Sequence, residues 1–198
     1  IKRLSMAGAL VIFAKTIGIS QIKTRLAKDI GEVQAQAFYS LSLGAIEQVA
    51  IEAVSKVDLK AYWAVGEKEG LESQYWNNLD SLWTGDGSLG DRLNNVYNSL
   101  IQKHEYVVMI GSDSPQISPD LIIDAAPQLK NIKNSCVIGP CDDGGFYLFG
   151  GNLKLGQEVF TEVCYSQDDT LKQLEDKLEG ELIHYLPMMQ DVDIVSDL

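Results

Sequence analysis

The sequence predicts a three-layer α/β/α sandwich built on a mostly parallel sheet, and three observations carry that prediction. Short, continuously apolar runs at residues 9–14 (ALVIFA) and 106–110 (YVVMI) have the length and composition of strands buried on both faces. Segments of strand character alternate with segments of helical periodicity, the order that parallel strands joined by crossover helices require. Charged residues and glycines gather directly after the apolar runs, at the carboxyl ends of strands where open sheets of this class bind ligands.

Taken in order, the first strand covers residues 9–14 and ends at Lys15, and a short helix is expected near Thr24. From Glu32 to about Val54, apolar residues recur four apart at Val33, Ala37, Leu41, Ala45 and Val49, which places them along one side of a long helix expected to cover the sheet. Residues 57–65 mix β-branched and aromatic side chains as a second strand, and residues 79–84 form a third before the Gly-rich turn 85–90. A helix over 89–102 follows. The fourth strand is 106–110, and Ser118-Pro119-Asp120 then combines an N-cap residue, Pro at the first helical position and an acid in the first turn of a helix reaching about Leu129. Strands at 135–139 and 146–149 flank the turn Asp142-Asp143-Gly144-Gly145, a helix spans 168–178, and a last strand lies near 181–186. No fixed-period repeat or low-complexity tract interrupts this pattern.

A chain of 198 residues forms one sizeable core, so a single domain over 1–198 is expected, with residues 1–8 as a flexible extension. A hydrophobic content of 45% with 22% charged residues is too apolar for disorder, while the longest apolar run is far too short for a bilayer. Lys2 and Arg3 precede apolar sequence, but Lys15 interrupts it without a small-residue cleavage site, so a cytoplasmic location is expected. The net charge of −12 argues against a general nucleic-acid binder, which gains affinity by neutralising phosphates with clustered cations. Cys136, Cys141 and Cys164 include no Cys-x-x-Cys pair, so neither a disulfide framework nor a zinc site is indicated. His104 and His184 lack a matching nucleophile motif, and Trp63, Trp76 and Trp83 are read as packing residues.

Three constellations carry chemistry. Lys15, Lys23, Arg25 and Lys28 fall within fourteen residues that hold no acid, a positive patch on an acidic chain. The segment leaves the first strand, contains Gly18 and enters a short helix, an arrangement in which backbone N–H groups and cations converge on an anion such as phosphate. Arg25 offers a fork of donors and Lys23 a point charge; the alternative is a solvated basic surface, and no Gly-x-x-x-x-Gly-Lys is present. Asp113 follows the fourth strand in Gly111-Ser112-Asp113-Ser114-Pro115, either as a ligand of Mg²⁺ or Mn²⁺ or as a turn former. At Asp142-Asp143-Gly144-Gly145 one acid is a second metal ligand, or the four residues are simply an Asp-Gly hairpin turn. Asp191 and Asp193 are read as capping residues in preference to ligands.

Together, Phe13-Ala14-Lys15 leading to Lys23-Thr24-Arg25-Leu26, then Leu89-Gly90-Asp91-Arg92-Leu93, Gly111-Ser112-Asp113-Ser114-Pro115, Gly139-Pro140 with Asp143-Gly144-Gly145-Phe146-Tyr147, and Asp191-Val192-Asp193 resemble the radical-SAM/selenodomain-associated transferases. These are glycosyltransferase-like proteins of the GT-A, or nucleotide-diphospho-sugar transferase, superfamily. A more distant similarity runs to phospholactate and molybdenum-cofactor guanylyltransferases. The resemblance implies a GT-A fold in which Lys15, Lys23, Thr24, Arg25 and Gly90 bind nucleotide phosphates, and Asp113 with Asp143 binds Mg²⁺ or Mn²⁺. Asp142, Gly144 and Gly145 then belong to the acceptor side. The chain departs from the family at Ile17, Ser20 and Ser88, where members carry Pro, Gly and an acid.

The function expected is metal-dependent transfer from an NTP or nucleotide-sugar to a small-molecule acceptor, with Lys23, Arg25 and Asp113 as the catalytic set. The rival is a catalytically inactive nucleotide- or partner-binding protein that retains the fold. Neither nucleic acid nor membrane is an expected partner.

Overall fold

A computed structural model of the chain describes residues 7–76 and 78–190. Strand β1 (Gly8–Ala14) leads to a short helix α1 (Thr24–Ile30) and the long helix α2 (Glu32–Lys56). Strand β2 (Leu59–Val65), two single 3₁₀ turns (Lys68–Gly70, Gln74–Trp76), β3 (Asp80–Trp83) and α3 (Leu89–Ile101) follow. Next come β4 (Val107–Gly111), α4 (Pro119–Asn131) and the pair β5 (Ser135–Pro140) and β6 (Phe146–Gly151). Helices α5 (Glu158–Thr161) and α6 (Thr170–Lys177) precede β7 (Leu182–Tyr185). The two 3₁₀ turns and α5 are too short to leave a periodic signal in sequence.

The seven strands form one sheet in the order β3-β2-β1-β4-β6-β5-β7, parallel except for β6, which runs antiparallel to both β4 and β5. The exception has a simple cause. Five residues separate β5 from β6, too few for the crossover that parallel neighbours need, so the chain reverses in a hairpin. Alternate residues of each strand serve opposite layers: Leu10 and Ile12 pack with Leu43 and Ile46 of α2 and Ile122 of α4, whereas Ala9 and Val11 share a second core with Val96 and Tyr97 of α3 and Phe160 of α5. The expected α/β/α sandwich with a mostly parallel sheet is formed.

Two expectations are corrected. Helix α2 does not cover the sheet with Val33, Ala37, Leu41 and Ala45, and of the expected series only Val49 packs against the core; the helix buries Ala35, Tyr39, Leu43, Ile46, Ala50 and Ala53 and leaves Val33 and Leu41 exposed. A strict four-residue spacing advances about 40° too far at each step, roughly 160° over the series, and so winds off any one face. Alternating steps of four and three, as at Tyr39, Leu43, Ile46, Ala50 and Ala53, stay on it. The extension expected at 1–8 does not reach Gly8, which pairs with Leu59 in β1; residues 1–6 lie outside the described residues. Ser118 does occupy the N-cap of α4 with Pro119 in the first turn, but its side chain makes no capping hydrogen bond. Among the described residues no helix is long and apolar enough to cross a membrane.

Candidate functional site

Strands β1, β2 and β4 end level with one another: Ala14 pairs with Val65, and Phe13 with Gly111. The ladder extends one residue further on each side, with Gly66 N–H donating to Ala14 O at 2.9 Å and Ser112 N–H to Phe13 O at 3.1 Å. The loops after all three strands therefore open onto one rim, and the basic segment and Asp113 are brought together there.

The loop after β1 turns tightly. Ile19 and Ser20 N–H both reach Thr16 O at 3.1 Å, with Gly18 at φ +87°, a conformation open to glycine and costly for other residues. Lys23 adopts the left-handed conformation (φ 45°) at the N-terminus of α1. Its side chain lies at the rim, only 4% exposed, with Nζ 3.7 Å from Asp113 Oδ1. Nζ also donates to the Asp113 carbonyl at 3.4 Å. Thr24 and Arg25 are exposed in the first turn of α1, and Lys15 is exposed at the strand exit. The Lys15 backbone is fixed by Tyr39 of α2, whose hydroxyl accepts Lys15 N–H at 2.9 Å and lies 2.9 Å from Ser112 Oγ. Burial raises the Tyr39 pKa strongly, so its hydroxyl stays protonated as a tie between the loops after β1 and β4.

Two further rim residues escaped the sequence reading. Glu67, just past β2, accepts Thr16 N–H at 2.7 Å on Oε2 and the Ser20 hydroxyl on Oε1. Arg92 of α3 donates from Nη1 to Gly66 O at 3.2 Å and from Nε to Gly87 O at 3.3 Å, joining the exits of β2 and β3. Glu67 carries the same signal as Asp113, a charged residue directly after an apolar strand. Arg92 lay in a recognised motif without a role.

The remaining predicted residues have local structural duties. Gly90 is buried in the first turn of α3, where a Cβ would lie 2.3 Å from Phe160 O, so helix packing already demands glycine there. Ser88 caps α3 in a reciprocal box with Asp91: Asp91 N–H reaches Ser88 Oγ at 3.2 Å, and Ser88 N–H reaches Asp91 Oδ2 at 2.8 Å. In the hairpin turn, Asp143 Oδ1 accepts Gly145 N–H at 2.9 Å, and Asp142 N–H donates to Met189 O at 3.1 Å. Gly144 stands at φ +86°, with Asp168 O only 1.9 Å from where a Cβ would be. Asp142 and Asp143 are exposed, in the turn that carries the chain from the end of β5 to the start of β6, the strand next to β4. Asp191 and Asp193 lie outside the described residues.

Among the described residues, no group of three or more His, Cys, Asp or Glu side chains is arranged to hold a metal ion. A hard cation such as Mg²⁺ needs only one or two protein carboxylates when phosphate oxygens and water complete its shell. The Asp113 side chain, 57% exposed at the rim, fits that donor set.

A sequence profile for uncharacterized proteins conserved in bacteria (DUF2064) matches residues 47–167. The chain belongs to DUF2064. The matched stretch of this DUF2064 chain runs from within α2 to just before α6, and so contains Glu67, Arg92, Asp113 and the hairpin turn, while β1 and its basic loop precede it. No curated protein matches the sequence. Among solved structures, a nucleotide-diphospho-sugar transferase from Desulfovibrio desulfuricans G20 is similar with a TM-score of 0.81 at 21% identity, over 97% of this chain and 84% of that one. CMP:2-keto-3-deoxy-manno-octonic acid synthetase complexed with CTP is similar with a TM-score of 0.55 at 12% identity, over 96% of this chain and 95% of that one. Rv0371c from Mycobacterium tuberculosis H37Rv, in complex with manganese, has a TM-score of 0.53 at 15% identity, over 94% and 92% of the two chains. The DUF2064 chain thus has the nucleotide-diphospho-sugar transferase fold.

Proposed function

We propose that this DUF2064 protein is a metal-dependent transferase that binds an NTP or a nucleotide-sugar at the rim and passes part of it to a small acceptor. The observation that carries the reading is the meeting of Lys23 and Asp113, a buried ammonium 3.7 Å from an exposed carboxylate, at the level ends of adjacent parallel strands. A cation held there lies ready for phosphate charge, and a carboxylate there offers a hard oxygen to a divalent metal. Arg25, Thr24 and Lys15 on the same loop add donors for phosphate oxygens. The similar fold of a synthetase seen with CTP and of a protein seen with manganese agrees with this reading. So does the motif order shared with the radical-SAM/selenodomain-associated transferases.

In the nucleotidyl form of the reaction, an acceptor oxygen bonds to the α-phosphorus, the bond to the bridging oxygen breaks, and pyrophosphate leaves as the acceptor proton passes to water. In the glycosyl form, the acceptor oxygen bonds to the anomeric carbon, the bond from that carbon to the phosphate oxygen breaks, and a nucleoside diphosphate leaves as the acceptor proton passes to water. The basic loop favours the triphosphate. Mg²⁺ or Mn²⁺ on Asp113, with Asp143 as a further candidate ligand, would neutralise phosphate charge, and Lys23 and Arg25 would stabilise the charge that grows on the leaving group. Asp142, Gly144 and Gly145 sit where an acceptor could approach from the β5–β6 side. The rival reading, a nucleotide-binding protein without turnover, draws on Ser20, a departure from the family whose hydroxyl is tied to Glu67.

The deciding experiment incubates the protein with each NTP or nucleotide-sugar and Mg²⁺ or Mn²⁺ and follows thermal stability. A metal-dependent rise in the melting temperature with at least one nucleotide is expected, and pyrophosphate or nucleoside diphosphate release then separates the two reaction forms. No stabilisation by any of them would defeat the transferase reading. Stabilisation without release from any donor–acceptor pair favours the rival.

A further inference from the structure

Glu67 does something that the proposed chemistry does not use. Its two carboxylate oxygens are each engaged by a donor of the β1 loop, Oε2 by Thr16 N–H at 2.7 Å and Oε1 by the Ser20 hydroxyl. The Thr16 amide belongs to the second residue beyond the strand, where an open α/β sheet presents backbone N–H groups to anions. Lys15, Lys23, Arg25 and Lys28 crowd the same segment, yet among the described residues Glu67 forms no ion pair with any of them. Its partners are neutral donors that accept nothing back from a carboxylate. Thr16 is 3% exposed, and its hydroxyl is turned toward Gly70, where a Cβ would lie 2.0 Å from Oγ1, so the backbone amide is what this residue offers the carboxylate. The loop thus holds an amide and a serine hydroxyl, and an acid from the neighbouring loop fills it.

We propose that the Thr16 amide and the Ser20 hydroxyl form an oxyanion seat for a polyphosphate, and that Glu67 occupies this seat until the ligand displaces it. The inference rests on the phosphate-binding reading of the rim and adds two residues and a competitor to it. Glu67 is only partly buried, so its side chain can swing to water without moving β2. A seat filled by an internal carboxylate nine-tenths of the time binds its ligand about tenfold more weakly than an open one. The family departure at Ser20 then has a use, because its hydroxyl holds the second oxygen of the internal anion.

The test titrates the full chain with inorganic tripolyphosphate by calorimetry, comparing wild type with Glu67→Ala and Glu67→Asp, each checked by its melting curve. Glu67→Asp keeps the charge but is one methylene too short for the seat, so both variants should bind about tenfold more tightly if vacating the seat is what matters. Ser20→Ala placed on Glu67→Ala should lose part of that gain. Folded variants that bind no more tightly than wild type would make Glu67 a brace for the loop and overturn the proposal, while wild-type binding still upholds the phosphate site. Tightening in Glu67→Ala but not in Glu67→Asp would also overturn it, leaving general charge repulsion as the cause. If neither wild type nor variants take up tripolyphosphate, the proposal and the phosphate site fall together.

Discussion

Lys23 is held with 4% of its side chain exposed, and the Asp113 carboxylate lies 3.7 Å from its ammonium. A buried ammonium interacts with nearby charge more strongly than one in water, because the medium around it screens less. Lys23→Ala is therefore expected to weaken tripolyphosphate binding at least about tenfold, whereas Lys28→Ala, at an exposed position in the last turn of α1, should change it less than about threefold. Asp113→Ala should abolish any Mg²⁺- or Mn²⁺-dependent thermal stabilisation by a nucleotide, and unchanged metal dependence would assign the metal to another carboxylate. Tyr39→Phe removes the hydroxyl that accepts Lys15 N–H, at a cost of about 1–3 kcal/mol in urea unfolding for leaving buried polar groups unpaired. Lys23, Arg25 and Asp113 were legible in the sequence because a basic cluster without an acid, and a charge directly after an apolar strand, need no tertiary knowledge to notice. Tyr39 was not, since its role depends on which face of α2 turns inward.

That face is a question for the element. Leu43 is buried against the sheet and Leu41 is exposed two residues before it. Leu43→Ala is expected to cost about 2–5 kcal/mol, and Leu41→Glu to stay within about 0.5 kcal/mol of wild type; equal effects would mean that the helix is rotated. Helix α3 gives a second test at each end of its first turn. Gly90→Ala sets a methyl group 2.3 Å from Phe160 O and should lower the melting temperature by separating α3 from α5. At the cap, hydrogen bonds from the Ser88 side chain, and then from its backbone, hold the Asp91 pKa below the usual carboxylate range. A depressed folded-state pKa means that the box stabilises the fold above the unfolded-state value and loses that contribution as pH falls through the folded-state value. The stability difference between wild type and Ser88→Ala should thus shrink in acid below the ordinary Asp range. Strand and helix order was readable because apolar runs and periodicity are local. The 3₁₀ turns and α5 were not, because single turns are fixed by what they pack against.

At the scale of the whole molecule, burial sorts the three thiols. Cys136 lies in the core with its pKa pushed up to about 12 by burial, Cys141 is buried, and Cys164 is exposed. Iodoacetamide should alkylate Cys164 alone in the native protein and all three after unfolding, as counted by mass spectrometry. The alternation of strands and helices was enough to foresee a sandwich with a mostly parallel sheet. Strand order was not foreseeable, because nothing local to residues 146–151 says that this strand slots between β4 and β5. That placement makes β6 a spacer. Had β5 lain directly against β4, the Asp113 loop and the Asp142-Asp143 turn would leave the sheet from neighbouring strands. With β6 between them, the turn that follows β5 crosses back toward β4 along the rim, so that Asp142 leaves the sheet on one flank of the reversed strand and Asp113 on the other.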